Sequence, residues 1–129
     1  MATDRILVVE DDQQIQAFLS RVLEGSGYSV LTAGSGASAV TSAAKERPSL
    51  VILDLRLPDM NGYQVCNILR KMFYPSAMPI LMLTALNQPI DQLRGYAHGA
   101  DAYMTKPCEP PDLLRTITML LEQPDTGSA

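Results

Sequence analysis

Six polar residues stand where apolar stretches of the chain end. Glu10, Asp11 and Asp12 follow Ile6-Leu7-Val8-Val9, Asp54 follows Leu50-Val51-Ile52-Leu53, Thr84 follows Ile80-Leu81-Met82-Leu83, and Lys106 follows Ala102-Tyr103-Met104-Thr105. Carboxylates that share a cleft repel one another, which raises at least one pKa unless a cation compensates. A hard divalent ion such as Mg2+ fits that need, because it takes oxygen ligands and keeps waters for a phosphoryl group. Asp54 can then act as a nucleophile toward phosphorus and carry an aspartyl phosphate. Thr84 and Lys106 can hold the phosphoryl oxygens, one by hydroxyl donation and one by charge, while the metal takes the rest of the developing charge. Taken singly, each residue has a plainer role. An Asp at a strand end is a turn residue, Asp12 is a helix cap, Thr84 a satisfied hydroxyl and Lys106 a solvated charge. Their placement at four separate strand ends makes the shared site the stronger reading.

That site exists only if the elements bring the four ends to one edge. Short beta-branched or continuous apolar runs alternate with segments of helical period. Residues 5–9 form the first strand, and Ile15, Phe18, Leu19, Val22 and Leu23 then paint one helical stripe. Asp12 is placed to cap that helix and Gly25 with Gly27 to end it. Residues 29–33 are a second strand. The Ala-rich stretch 37–45 is a helix with Ala37, Val40, Ala43 and Ala44 on its apolar face. Residues 50–53 are continuously apolar, as strands buried on both faces are in a parallel sheet. Residues 63–72 read as a helix with Val65, Ile68, Leu69 and Met72 inward, and 79–83 as the fourth strand. A short helix over 90–98 turns Ile90, Leu93 and Ala97 to one side, and 101–105 is a fifth strand. Pro110-Pro111 opens the last helix, whose stripe is Leu113, Leu114, Ile117, Leu120 and Leu121. Strands alternating with helices predict an α/β fold, doubly wound around a parallel sheet with helices on both faces. Ligands of such sheets bind outside the carboxyl ends of the strands, where the winding reverses.

Composition narrows the partners. The 129 residues make one domain, and 47% hydrophobic against 19% charged residues excludes disorder for its body. Ten Lys and Arg against 14 Asp and Glu give a net charge of -4, so nothing supplies the positive excess that nucleic acid or an anionic membrane surface attracts. No apolar run approaches the roughly 18 residues a bilayer span needs. Two cysteines exclude a disulfide scaffold, and a single histidine disfavours a zinc site. Cys66 reads as a core residue, Cys108 as a loop residue, and His98 as a surface residue near a helix end. Met60, Met72, Met78, Met82 and Met104 read as packing. The expectation is a cytoplasmic protein with its domain over residues 1–122 and a tail or linker stub over 123–129.

The motifs I-L-V-V-E-D-D, L-V-I-L-D-L-R-L-P-D-M-N-G, P-I-L-M-L-T-A and G-A-D-A-Y-M-T-K-P together resemble the receiver domain of bacterial two-component response regulators. The resemblance runs from Ile6 to Leu121. It implies a five-stranded parallel sheet in the order 2-1-3-4-5 with five helices, a flavodoxin-like sandwich. It implies that Asp54 is phosphorylated by a sensor histidine kinase or phosphotransfer protein. Mg2+, with Mn2+ able to replace it, would be held by Asp12 directly, by Asp11 through water, by Asp54 and by the backbone carbonyl of Arg56. Thr84 matches the switch hydroxyl, Lys106 the lysine that pairs with the phosphate, and Tyr103 the aromatic that moves inward on activation. Lys106-Pro107 resembles a bond that is cis in the family. Pro58 and Gly62 match the loop beside the pocket, and Arg56 and Leu86 match flanking positions that help set how fast the phosphoryl group is lost to water. The face made by 90–98, 101–105 and 110–122 would engage an effector or a fused output domain, and activation could drive homodimerisation. The chain itself would be a switch, not an enzyme on other substrates.

Two other classes fit less well. A phosphatase with an aspartate nucleophile needs a second acid two residues later to protonate the leaving group, and Arg56 stands there. A nucleotide or flavin module wants a Gly-rich phosphate loop after the first strand, where this chain has Glu10-Asp11-Asp12-Gln13. Within the family, the chain reads either as a stand-alone receiver or as one cut from a longer DNA-binding or hybrid signalling protein.

Overall fold

The computed structural model describes residues 3–122. The expected tail over 123–129 lies outside them. In chain order the elements are β1 (Arg5–Val9), α1 (Gln13–Gly25), β2 (Ser29–Ala33), α2 (Gly36–Glu46), β3 (Leu50–Leu53), α3 (Gly62–Phe73), β4 (Ile80–Thr84), α4 (Pro89–Ala97), β5 (Ala102–Thr105) and α5 (Pro110–Glu122). The strands form one parallel sheet in the order β2-β1-β3-β4-β5, as expected.

Strand parity divides the core in two. Leu7, Val9, Val51, Leu53, Ile80 and Met82 face one side, where Ala39 and Ala43 of α2 and Val65, Cys66 and Leu69 of α3 cover them. Ile6, Val8, Leu50, Ile52, Leu81 and Leu83 face the other, against Leu19 and Leu23 of α1 and Leu113, Ile117 and Leu120 of α5. Successive strand residues point to opposite faces, so three central strands that are apolar between Arg5 at the start of β1 and Thr84 at the end of β4 need helices on both sides.

Local chemistry sets the helix starts. The Asp12 carboxylate accepts the Gln14 and Ile15 amides at the head of α1. Ser35 with Ser38, and Asn61 with Gln64, form reciprocal caps on α2 and α3. Pro89 opens α4 where a missing N–H costs nothing.

Two helical stripes sit differently from expectation, and in a third the direction of the apolar side is now defined. In α3 the inward face is Val65, Cys66 and Leu69, and Ile68 and Met72 are each 38% exposed. In α2, Ala39 and Ala43 are buried while Ala37 and Ala44 are exposed. Alanine-rich helices offer little contrast between faces, so periodicity fixes the turn of the helix poorly. In α4 the apolar side faces outward: Ile90 and Leu93 are 51% and 68% exposed, and only Gly95 is buried. Among the described residues, no helix is long and apolar enough to cross a membrane.

Candidate functional site

Backbone ladder bonds carry the polar residues to one rim. Glu10 donates its amide to Ala33 O at 2.9 Å, Asp54 to Val9 O at 3.0 Å and Lys106 to Thr84 O at 2.8 Å. Each is the first residue beyond its strand, yet its amide still pairs with the neighbouring strand. The rim therefore inherits the rigidity of the sheet.

Glu10, Asp54 and Thr84 are the buried polar residues of the described chain, at 3%, 6% and 0% exposure. Buried charges need partners. The Lys106 ammonium reaches Asp54 Oδ2 at 2.9 Å and also donates to Glu10 Oε1. The Asp12 amide donates to Glu10 Oε2 at 3.1 Å, and the Arg56 amide to Asp54 Oδ1 at 3.2 Å. Burial pushes the Glu10 carboxyl above its ordinary pKa, against the pull of the Lys106 and Asp12 hydrogen bonds, and the Asp54 charge adds to the rise. At Lys106, burial works against the charge, but the hydrogen bonds it donates to Asp54 and Glu10 outweigh that and the pKa rises.

The acids that meet are Glu10, Asp11 and Asp54, each with a carboxylate oxygen within 4.8 Å of the others. The resemblance implies Asp11 and Asp12 as the acidic pair. Asp12 is exposed, stands outside this trio, and its Oδ1 is taken by the two amides of the α1 cap. Glu10 occupies the inner place instead. The signal was in the sequence: the acid next to a helix start is the natural cap, and the acid next to the strand is the one the ladder still holds.

The trio suits a hard divalent ion. It offers only oxygen donors, and its three carboxylates face a single lysine. Arg56 turns its side chain to solvent, while its backbone lies beside Asp54. Gly62 is required where the loop closes, since a Cβ there would sit 2.5 Å from the Asp54 carbonyl oxygen. Pro58 is exposed on the same loop.

From the rim a chain of contacts runs toward α4. Thr84 Oγ1 accepts the Leu86 amide at 3.3 Å, and the Tyr103 hydroxyl donates to Leu86 O at 2.8 Å. Tyr103 is half-buried, and burial pushes its pKa up to about 12. The Lys106–Pro107 bond is cis, and so is Tyr74–Pro75. His98 caps the end of α4 and is half-buried, with its Nδ1 3.1 Å from Asn67 Oδ1 and its ring beside Tyr63. Cys66 is buried with its thiol pushed up to about 11, and Cys108 is half-buried.

A fold of this order with an acidic rim, a buried hydroxyl and a lysine defines a phosphoryl-accepting class, and comparison with known proteins agrees. The response regulator receiver domain matches residues 6–118. The DNA-binding response regulator MtrA of Mycolicibacterium paratuberculosis is 42% identical over 125 residues, 97% of this chain and 54% of that protein. The probable transcriptional regulator ycf27 of Porphyra purpurea is 43% identical over 122 residues, covering 95% and 49%. A CheY-like receiver domain protein from Methanospirillum hungatei superposes with a TM-score of 0.88 at 32% identity, covering 94% of this chain and 95% of that one. A putative response regulator from Chloroflexus aurantiacus gives 0.90 at 34% identity, covering 95% and 100%.

The chain belongs to the response regulator receiver domain family. It is a receiver of two-component signalling, a class of phosphorylation switch that binds a divalent metal in an acidic pocket. It spans about half the length of the curated relatives it matches.

Proposed function

We propose that Asp54 accepts a phosphoryl group from a phosphohistidine on a sensor kinase or phosphotransfer protein. The observation that supports this most is the Lys106 ammonium, 2.9 Å from Asp54 Oδ2 and shared with Glu10 beside the acidic trio. A carboxylate oxygen of Asp54 forms the new P–O bond as the donor's P–N bond breaks and the electron pair returns to its imidazole. Lys106 is placed to follow the incoming negative charge onto a phosphoryl oxygen. Thr84 Oγ1 already accepts the Leu86 amide, which leaves its own proton for another phosphoryl oxygen. Glu10, Asp11, Asp54 and the Arg56 carbonyl would hold Mg2+, or Mn2+ in its place. When bound, the ion offsets charge on the transferred group.

The phosphoryl group adds about two negative charges at the rim. Thr84 turning toward them pulls on the Leu86 amide, and Tyr103, bonded to the same residue, shifts with it. The outcome is a population shift between two packings of α4 and β5. Ile90, Leu93 and Tyr96 on α4 and Met119 on α5 are the large apolar side chains exposed on these elements. The face formed with β5 is where an effector, a fused output domain or a second activated copy would bind. The half-length match to DNA-binding regulators favours an output domain in the intact protein. DNA contact would then belong to that domain, since this chain carries a net charge of -4. A cytoplasmic setting and no catalysis on other substrates go with this reading.

The test is intact mass after incubation with acetyl phosphate and Mg2+. One added phosphoryl group is expected for the wild type and none for Asp54→Asn. The same addition in Asp54→Asn would overturn the assignment.

A further inference from the structure

The loop between β3 and α3 has a second foothold that the phosphoacceptor site does not itself require. Its neck is closed by the Arg56–Asn61 bridge and by the Gly62 amide on Leu55 O at 2.9 Å. Its tip reaches α2. The Asp59 carboxylate accepts the Gly36 amide on Oδ1 at 2.8 Å and the Ala37 amide on Oδ2 at 2.9 Å. Met60 lies over the same turn, so closely that a Cβ on Gly36 would sit 2.3 Å from its Cγ.

Helix α2 is capped without Asp59. The Ser35 hydroxyl accepts the Ser38 amide, and the Ser38 hydroxyl accepts the Ser35 amide. The amides that Asp59 takes belong to the first two helical residues, Gly36 buried beneath the loop and Ala37 exposed, and the Ser35–Ser38 cap is complete without them. The consequence of the bonds therefore falls on the loop. That loop carries Arg56, whose amide touches Asp54 Oδ1 and whose carbonyl faces the metal in the function proposed above.

Resting on that function, we infer that Asp59 is a positioning residue: clamped on the head of α2, it holds the Arg56 backbone beside Asp54 and so sets the affinity of the site for Mg2+. The two α2 amides hold the Asp59 carboxyl below its ordinary pKa, so the clamp is formed at neutral pH. Its partners lie 22 and 23 residues back in the chain, so α2 and the loop are braced as one body.

Four proteins test this: wild type, Asp59→Ala, Ser35→Ala and Asp54→Asn. Mg2+ is titrated by NMR amide shifts with no phosphodonor present, and acetyl phosphate modification is followed as a function of Mg2+. Asp59→Ala is expected to weaken Mg2+ about tenfold, the scale of losing a partner that orients a metal ligand. Its modification rate should recover at saturating Mg2+. Ser35→Ala frays α2 with the clamp intact and should leave the Mg2+ affinity as in wild type. Wild-type affinity in Asp59→Ala overturns the inference, and so does equal weakening in Ser35→Ala, because helix stability alone would then explain the loss. If Asp54→Asn abolishes modification while Asp59→Ala binds Mg2+ normally, only the brace falls. If the wild type neither binds Mg2+ nor takes a phosphoryl group, the site reading falls with it.

Discussion

The rim of the sheet and the α4 edge reverse the usual placement of polar and apolar groups. At the rim, Glu10, Asp54 and Thr84 are buried, held by ladder amides and by Lys106. At α4, Ile90, Leu93 and Tyr96 are 51%, 68% and 45% exposed and Gly95 alone is buried. The first region sits on the central strands, whose side chains are covered on both faces. The second leans on β5, an edge strand whose residues are half-buried or exposed. Chemistry needs groups that do not wander, and a readout needs an element that can shift without losing much burial. The two regions lie apart, and hydrogen bonds of Thr84 and Tyr103 to Leu86 connect them, as the proposed function requires.

The strongest way to break this contrast is truncation on each side. Ile117→Ala, in the core under α5, should cost about 2–5 kcal/mol, whereas Leu93→Ala should stay within about 0.5 kcal/mol. Urea unfolding measures both, and similar losses would show that α4 is packed as firmly as the core. A smaller effect is expected of Gly95→Ala. A Cβ at Gly95 would meet Met82 Sδ and the Tyr103 ring, both at 2.9 Å. Overpacking costs about 1–3 kcal/mol, and the better helix propensity of alanine returns about 1 kcal/mol. Net destabilisation near 1 kcal/mol, with a displaced Tyr103 ring in the NMR spectrum, would sharpen the claim that α4 rests on that ring. An unmoved ring and unchanged stability would contradict it.

The smallest effect concerns the rim's charge. The folded pKa of Glu10 lies above its unfolded value of 4.5, so the native state takes up this proton before the unfolded state does. The resulting stability is complete below the unfolded value and is lost as pH rises through the folded one. In Mg2+-free buffer, wild type should therefore gain stability relative to Glu10→Gln as pH falls from neutral toward 4.5. A flat difference would mean that Lys106 alone balances the rim.

Much of this was legible in the sequence. Continuous apolar strands ending at Asp54, Thr84 and Lys106 gave away both the parallel sheet and the edge where the site would lie. The resemblance supplied the strand order. Which acids converge was not legible, because a run of three acids looks alike in sequence, while ladder pairing draws Glu10 inward and the cap of α1 draws Asp12 out. The direction of the α4 stripe was not legible either. A hydrophobic period reveals that a helix has an apolar side, and not whether the neighbouring sheet edge is already covered, here by Tyr103 under Gly95. The Asp59 clamp was equally hidden, since its partners are remote in the chain.

Because Glu10, Asp54 and Lys106 each sit one step past a strand, strand length works as a ruler. Losing a single residue inside β1, β3 or β5 would swap which helical layer each side chain beyond the cut confronts, and the carboxylates and the ammonium would no longer face one another. The strands cannot change length without dismantling the chemistry at their ends.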